Sequence, residues 1–168
     1  MNIREAHKDD LKRLSKLATK TYKDAFGSSF SAEDLQKRID ETRSEKYFEY
    51  ALSKDVVLIA EVKGEMVGYV EFGPPDLPIE GILEGDEELT RLYVLASHQR
   101  KGIGKALMDA ALAHPRLRNA ENIYLDIWEK NEGAQRLYKS YGFEETGTIV
   151  DGDIIMVRRK LKEAAKLL

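Results

Sequence analysis

Between a β-rich run over Glu88–Leu95 and a helical pattern from about Lys101 to His114 lies Gln99-Arg100-Lys101-Gly102-Ile103-Gly104-Lys105. A strand fed through two glycines into a helix commits the chain to a layered α/β arrangement, because strand and helix must pack face to face. The same turn has chemical meaning. Two glycines at a helix start let backbone N–H groups converge on an anion, and the helix dipole adds attraction. Arg100, Lys101 and Lys105 contribute positive charge in a chain whose net charge is −3. A diphosphate is the natural guest. Two common phosphate motifs are excluded: a P-loop needs glycine where Gln99 stands and Ser or Thr where Ala106 stands. A dinucleotide fingerprint needs a third glycine at Leu107.

The elements around this turn follow from periodicity. Met1–Ala6 predicts a short strand, and Asp9 or Asp10 a cap for a helix whose apolar face is Leu11, Leu14, Leu17 and Ala18. A second helix starts at Ser31 with Leu35 and Ile39 inward, and Tyr47, Phe48, Ala51 and Leu52 form a third helical face. The period then changes to two. Val56–Val62 and Met66–Phe72, joined through Lys63-Gly64-Glu65, predict a hairpin. Gly73-Pro74-Pro75 opens a loop rich in Gly, Pro and acids that runs to about Gly85. Asn122–Trp128 predicts a strand, and Asn131–Tyr141 a helix ended by Gly142. Phe143–Val150 and Asp153–Lys160 predict a closing antiparallel pair. The sum is one α/β domain over residues 1–168, a mixed sheet with helices on its faces.

Composition narrows the chemistry. The 168 residues include no cysteine, which excludes disulfides, thiolate nucleophiles, iron–sulfur clusters and Cys-type zinc sites. His7, His98 and His114 are too scattered for metal-ligand spacing, so no metal is expected. The charge balance gives no reason to expect nucleic acid. No run approaches the ~20 apolar residues of a membrane helix and the N-terminus is polar, which together predict a cytoplasmic protein without a membrane partner.

Gln99, Gly102 and Gly104 after a strand, followed downstream by Asn131, Ala134, Tyr138 and Gly142-Phe143, resemble the acyl-CoA signature of the GNAT N-acetyltransferases. The resemblance covers residues 55–145 and implies the GNAT fold: a mixed, mostly antiparallel sheet with a splayed strand pair and helices on both faces. Acetyl-CoA would be the donor. Backbone N–H groups from Arg100 through Lys101, Gly102, Ile103 and Gly104 to Lys105 would hold its pyrophosphate. Leu92, Tyr93 and Val94 would pair with the pantetheine arm as an added strand, and Asn131 and Ala134 would contact the same arm. The Val94 N–H would stabilise the oxyanion. Tyr138 would protonate the departing thiolate, a task suited to a phenol of pKa near 10. A core tyrosine or a helix N-cap would occupy positions 138 and 131 equally well. Homodimerisation is common in the family.

The acceptor is an amine, and an alkylammonium must lose a proton before it attacks. Glu88, 11 residues before Gln99, is the first candidate base; Glu129 and Asp126 follow. Trp128-Glu129-Lys130-Asn131-Glu132 and Thr21-Tyr22-Lys23-Asp24-Ala25-Phe26 resemble PaiA-type spermidine/spermine acetyltransferases, which implies a polyamine acceptor. Asp76–Glu88 carries six acids and no Lys or Arg, a field that would draw in a cation. Without cysteine, direct transfer in a ternary complex is expected. The alternatives are a protein N-terminal or lysine acetyltransferase and a non-catalytic CoA-binding regulator.

Overall fold

The computed structural model describes residues 1–160, so the last eight residues of the expected domain lie outside the described part. Seven strands form a mixed sheet in the order β1 (Asn2–Glu5), β2 (Val56–Val62), β3 (Glu65–Gly73), β4 (Glu87–Val94), β5 (Asn122–Trp128), β7 (Asp153–Arg159) and β6 (Glu144–Val150). The chain forms two compact units: residues 1–73 with 89–114, and residues 74–88 with 115 onward.

The first unit begins with β1 (Asn2–Glu5), antiparallel to β2 (Val56–Val62), which pairs antiparallel with β3 (Glu65–Gly73). The β2–β3 turn places Lys63 and Gly64 at φ 51° and 80°, and the glycine carries the second of these without a Cβ penalty. Leu89–Val94 of β4 (Glu87–Val94) continues this sheet beyond β3. Inward residues Val57, Ile59 and Tyr69 meet Leu14, Leu17 and Ala18 of α1 (Leu11–Phe26) and Phe48 and Ala51 of α3 (Glu45–Lys54). On the opposite face lies α4 (Ile103–Ala113): a Cβ built on Gly68 would sit 3.2 Å from Leu107 Cδ1 and 3.0 Å from the Tyr93 carbonyl oxygen. Gly68 is thus glycine because helix and neighbouring strand come that close.

Serine caps fix two helix starts. Ser31 accepts from the Asp34 N–H at 3.1 Å ahead of α2 (Ala32–Thr42), and Ser44 accepts from the Tyr47 N–H at 3.1 Å ahead of α3. The Ser31 start was legible in the sequence. The expected Asp cap of α1 works differently: a three-residue 3-10 turn, Lys8–Asp10, precedes the helix. The Asp10 carboxylate turns back to the Arg4 guanidinium (both oxygens 2.8 Å) and the His7 N–H (3.0 Å).

In the second unit β5 (Asn122–Trp128) pairs antiparallel with β7 (Asp153–Arg159), and β6 (Glu144–Val150) with the far side of β7. Glu87 and Glu88, the first residues of β4, lie parallel to Ile123 and Tyr124 of β5. The β6–β7 register shifts between Glu145 and Ile149, where Gly147 takes φ 86°. Helix α6 (Glu132–Ser140) ends as expected at Gly142, whose φ of 86° closes the Tyr141-Gly142 turn. A short helix, α5 (Pro115–Arg118), was not foreseen; its four residues are too few to show a period.

Two stability effects follow. The Arg4 guanidinium, then the His7 N–H, hold the Asp10 carboxyl down to about 2 against the opposing effect of burial. Its stabilisation is present at neutral pH and lost as pH falls from about 4 to 2. Asp10→Asn should cost about 2 kcal/mol at pH 7 by urea unfolding, and the gap to wild type should close towards pH 2. A Cβ on Gly73 would lie 1.9 Å from Asp55 Oδ1, so Gly73→Ala must drive that buried carboxylate out of place. We expect a loss of roughly 2–3 kcal/mol in the same assay.

Candidate active site

In the first unit the turn before α4 has the form the sequence predicts for an anion cradle. Arg100 and Gly102 both take positive φ, 60° and 82°, and Gly102 is the left-handed N-cap of α4. No atom lies within 4 Å of a Cβ built on Gly102, so its glycine answers to backbone conformation and not to crowding. Arg100, Lys101 and Lys105 are exposed, while Ile103 is buried and anchors the helix start. Three exposed cations thus flank the first turn of an eleven-residue helix, whose leading N–H groups have no partner within the helix, an arrangement that suits a diphosphate. A Cβ on Gly104 would meet Val94 Cγ2 at 3.9 Å, an ordinary contact, so packing alone does not demand glycine there.

The Gln99 side chain is used inside the fold. Its Nε2 donates to the Val94 carbonyl at 3.0 Å, tying the turn to the end of β4. The segment Leu92-Tyr93-Val94 is half-buried along its length. Arg91 and Tyr93, two residues apart, share one strand face. On it Tyr93 stacks against Tyr69 at 5.9 Å, and Arg91 Nη1 meets Glu71 Oε2 at 2.8 Å.

That ion pair belongs to a buried network the sequence reading did not assemble. Glu71 is fully buried, accepts the Tyr47 hydroxyl at 2.7 Å, and has the Arg91 guanidinium over the Tyr47 ring at 4.5 Å. Asp55, also buried, takes the Lys54 ammonium at 3.0 Å. Burial first, and then Glu71 beside it, push the Asp55 carboxyl up to about 6 against the pull of Lys54. A raised carboxyl makes the folded state bind the extra proton, so this group's contribution to stability declines as pH rises from about 4 to 6. Burial likewise raises the Tyr47 hydroxyl well above its ordinary range. The available signal was Glu71 amid the apolar β3 run and Arg91 at an inward position of β4: opposite charges where only apolar residues belong.

In the second unit Glu88 is 5% exposed, and its Oε2 accepts the Asp76 N–H at 2.7 Å. The predicted base thus also anchors the acidic loop. Asp86 accepts the Leu83 N–H and the Asn122 side-chain amide, both at 2.8 Å, and Glu87 pairs with Arg116 at 2.8 Å. Of the six acids only Asp76, Glu80 and Glu84 are exposed. Between them Leu77, Ile79 and Ile82 pack on Tyr124, Ile155 and Val157, so the loop lies down on the sheet. A cavity of about 440 Å³ opens beside it, lined by Glu80, Tyr124, Thr146, Thr148 and Arg159 among others.

Asn131 is exposed and caps α6, its Oδ1 accepting the Ala134 N–H at 3.2 Å. Tyr138 is 7% exposed on the buried side of α6, its ring 5.8 Å from Phe143 in edge contact. Asp126 and Asp153, on neighbouring strands, interact: burial, then Asp126, raises the Asp153 carboxyl to about 6. Trp128 is 41% exposed with the Lys130 ammonium 5.9 Å above its ring. It is a surface residue, not part of the core.

The chain matches the model of the Acetyltransferase (GNAT) family over residues 14–143. It is 29% identical over 144 residues to an uncharacterized N-acetyltransferase of Lactobacillus delbrueckii subsp. lactis, covering 84% of this chain and 83% of the relative. An uncharacterized N-acetyltransferase of Archaeoglobus fulgidus is 32% identical over 144 residues, 83% of this chain and 90% of its own. The spermine/spermidine N(1)-acetyltransferase of Bacillus subtilis is 33% identical over 98 residues, 57% of this chain and 64% of its own. The solved PaiA N-acetyltransferase of Thermoplasma acidophilum in complex with coenzyme A shares the fold, with a TM-score of 0.80 at 22% identity over 95% of this chain and 98% of that one. Given a family match that runs through both the turn at Gly102 and the helix of Tyr138, the chain belongs to the GNAT acetyltransferases and is an N-acetyltransferase.

Proposed function

We propose that this enzyme moves the acetyl group of acetyl-CoA directly onto the primary amine of a small cationic acceptor. The observation that carries the donor half is the left-handed Gly102 cap at the start of α4, beside Arg100, Lys101 and Lys105. The residues from Arg100 to Lys105 take the pyrophosphate, and Leu92, Tyr93 and Val94 offer backbone groups to the pantetheine arm. Asn131 and Ala134 assist on the same arm. The amine nitrogen bonds to the acetyl carbon, the Val94 N–H stabilises the oxyanion, and collapse breaks the C–S bond. Glu88 accepts the proton that the ammonium gives up before attack, and the Tyr138 hydroxyl protonates the thiolate that leaves. The second nitrogen proton, shed as the amide forms, restores the Tyr138 hydroxyl.

Three exposed acids, Asp76, Glu80 and Glu84, support a cationic acceptor. So does the likeness to the spermine/spermidine N(1)-acetyltransferase of Bacillus subtilis. A second reading has a peptide N-terminus as acceptor, because an N-alpha-acetyltransferase of Sulfurisphaera tokodaii is 38% identical over 92 residues, 52% of this chain and 55% of its own.

The test is thiol release from acetyl-CoA with spermidine, spermine, diamino acids and N-terminal peptides as acceptors. Turnover with peptides alone would replace the small-acceptor reading; CoA binding without any turnover would make the protein a regulator. Tyr138→Phe should lower kcat by about 100-fold while CoA affinity, measured by calorimetry, stays within a few-fold of wild type. Full activity in that variant would remove Tyr138 from the reaction. Glu88→Gln keeps an acceptor for the Asp76 N–H and discards the base. It should therefore leave thermal stability nearly unchanged, lower kcat/KM by about 100-fold and flatten its acidic limb. Loss of stability with an unaltered pH profile would make Glu88 a loop anchor only.

A further inference from the structure

Arg43, at the C-terminal end of α2, is 7% exposed and has no carboxylate partner among the described residues. Its guanidinium lies 4.0 Å from the centre of the Tyr22 ring and 6.0 Å from that of Tyr93. Nη1 meets the Thr42 hydroxyl, and Nε is buried with no hydrogen-bond partner. Tyr69, fully buried and stacked on Tyr93, also has a hydroxyl without a partner. The same layer shows what the fold does when it supplies its own counter-charge: Arg91 reaches Glu71 at 2.8 Å. Arg4, less buried, has both Asp10 and Glu61.

A buried guanidinium without an anion is costly, and buried donors are almost always satisfied. The Tyr22 ring, the Thr42 hydroxyl and the Tyr93 hydroxyl reduce that cost and leave the Nε–H unused. An unused guanidinium N–H and an unused phenol O–H, on two residues that both pack against Tyr93, match the two acceptor oxygens of a carboxylate. The position selects the ligand. Tyr93, one wall of this cluster, belongs to the strand segment assigned to pantetheine, whereas the phosphates of CoA have the turn at Arg100–Lys105. We propose that Arg43 and Tyr69 bind a carboxylate carried by the acceptor, so that the preferred substrate is a small amine of the amino-acid class and not an unsubstituted polyamine. The proposal rests on the acetyl-transfer reading for its substrate and on the buried donors alone for its site.

The experiment has two arms. In the first, kcat/KM is compared for lysine and cadaverine, which differ only by the carboxylate. Wild type should favour lysine by about 10- to 100-fold, and Arg43→Gln and Tyr69→Phe should each bring the ratio towards one. Tyr69→Phe removes one oxygen from a packed ring, so it carries the test if Arg43→Gln does not fold. Equal use of the two acceptors, or preference for cadaverine, overturns the carboxylate site while leaving the acetyltransferase reading intact. In the second arm sodium acetate replaces sodium chloride at constant ionic strength, and the unfolding temperature of the full chain is followed. A saturable rise in wild type that is absent from Tyr69→Phe supports the site even if neither amine is acetylated, an outcome that would count against the small-acceptor reading alone. No rise in wild type overturns the site.

Discussion

The buried pair Glu71–Arg91 holds the strand to which the proposed donor site is assigned. Adjacent strands share their backbone hydrogen bonds, but those bonds do not by themselves fix which residue stands opposite which. A charged pair at 2.8 Å with Glu71 fully buried does, because any slip would leave both charges desolvated and unpaired. Tyr47 ties the same carboxylate to α3. Two residues further along β4, Tyr93 stacks on Tyr69, and Gln99 reaches back to the Val94 carbonyl. The segment Leu92–Val94 is therefore pinned on its inward face and at its end, which leaves backbone geometry as the feature it can offer a ligand.

Local rules made much of the fold readable. The hairpin at Lys63-Gly64, the cap at Ser31, the glycine after α6 and the strand Asn122–Trp128 each depend on residues within a few positions of one another. What could not be read depends on distance along the chain. Asp55, Glu71 and Arg91 are ordinary charged residues until the sheet brings them together, and then each decides how the others ionise. Trp128 is the converse case: a large apolar side chain that sits at the end of β5 beside Lys130 and stays exposed. The acidic stretch from Asp76 to Glu88 reads from its sequence as a field for a cation, because its few apolar residues follow neither a strand nor a helix period. Leu77, Ile79 and Ile82 turn out to face the sheet together.

That stretch also shows how one carboxylate can serve two roles. Glu88 accepts the Asp76 N–H, and in doing so it fixes where the loop begins. A base must be held in place to be effective, since proton transfer needs hydrogen-bond reach in a defined direction. An anchor that uses one carboxylate oxygen restricts the direction of the other. The anchoring bond and the proposed chemistry therefore do not compete, and burial at 5% exposure is what makes the position rigid.

The substrate question comes down to which charges the fold has already neutralised. Glu87 is paired with Arg116, while Asp86 and Glu88 are buried and held by neutral N–H groups, so the acids of this stretch that face solvent are Asp76, Glu80 and Glu84. Counting charges along a sequence overstates a field for this reason: paired charges cancel at a distance, and only unpaired ones act on a ligand. The same rule applied to cations singles out Arg43, which is buried and has, among the described residues, hydroxyl and ring partners but no carboxylate. An acceptor with both signs of charge would answer the free acids and the unmatched guanidinium together, whereas a pure polycation would answer only the first.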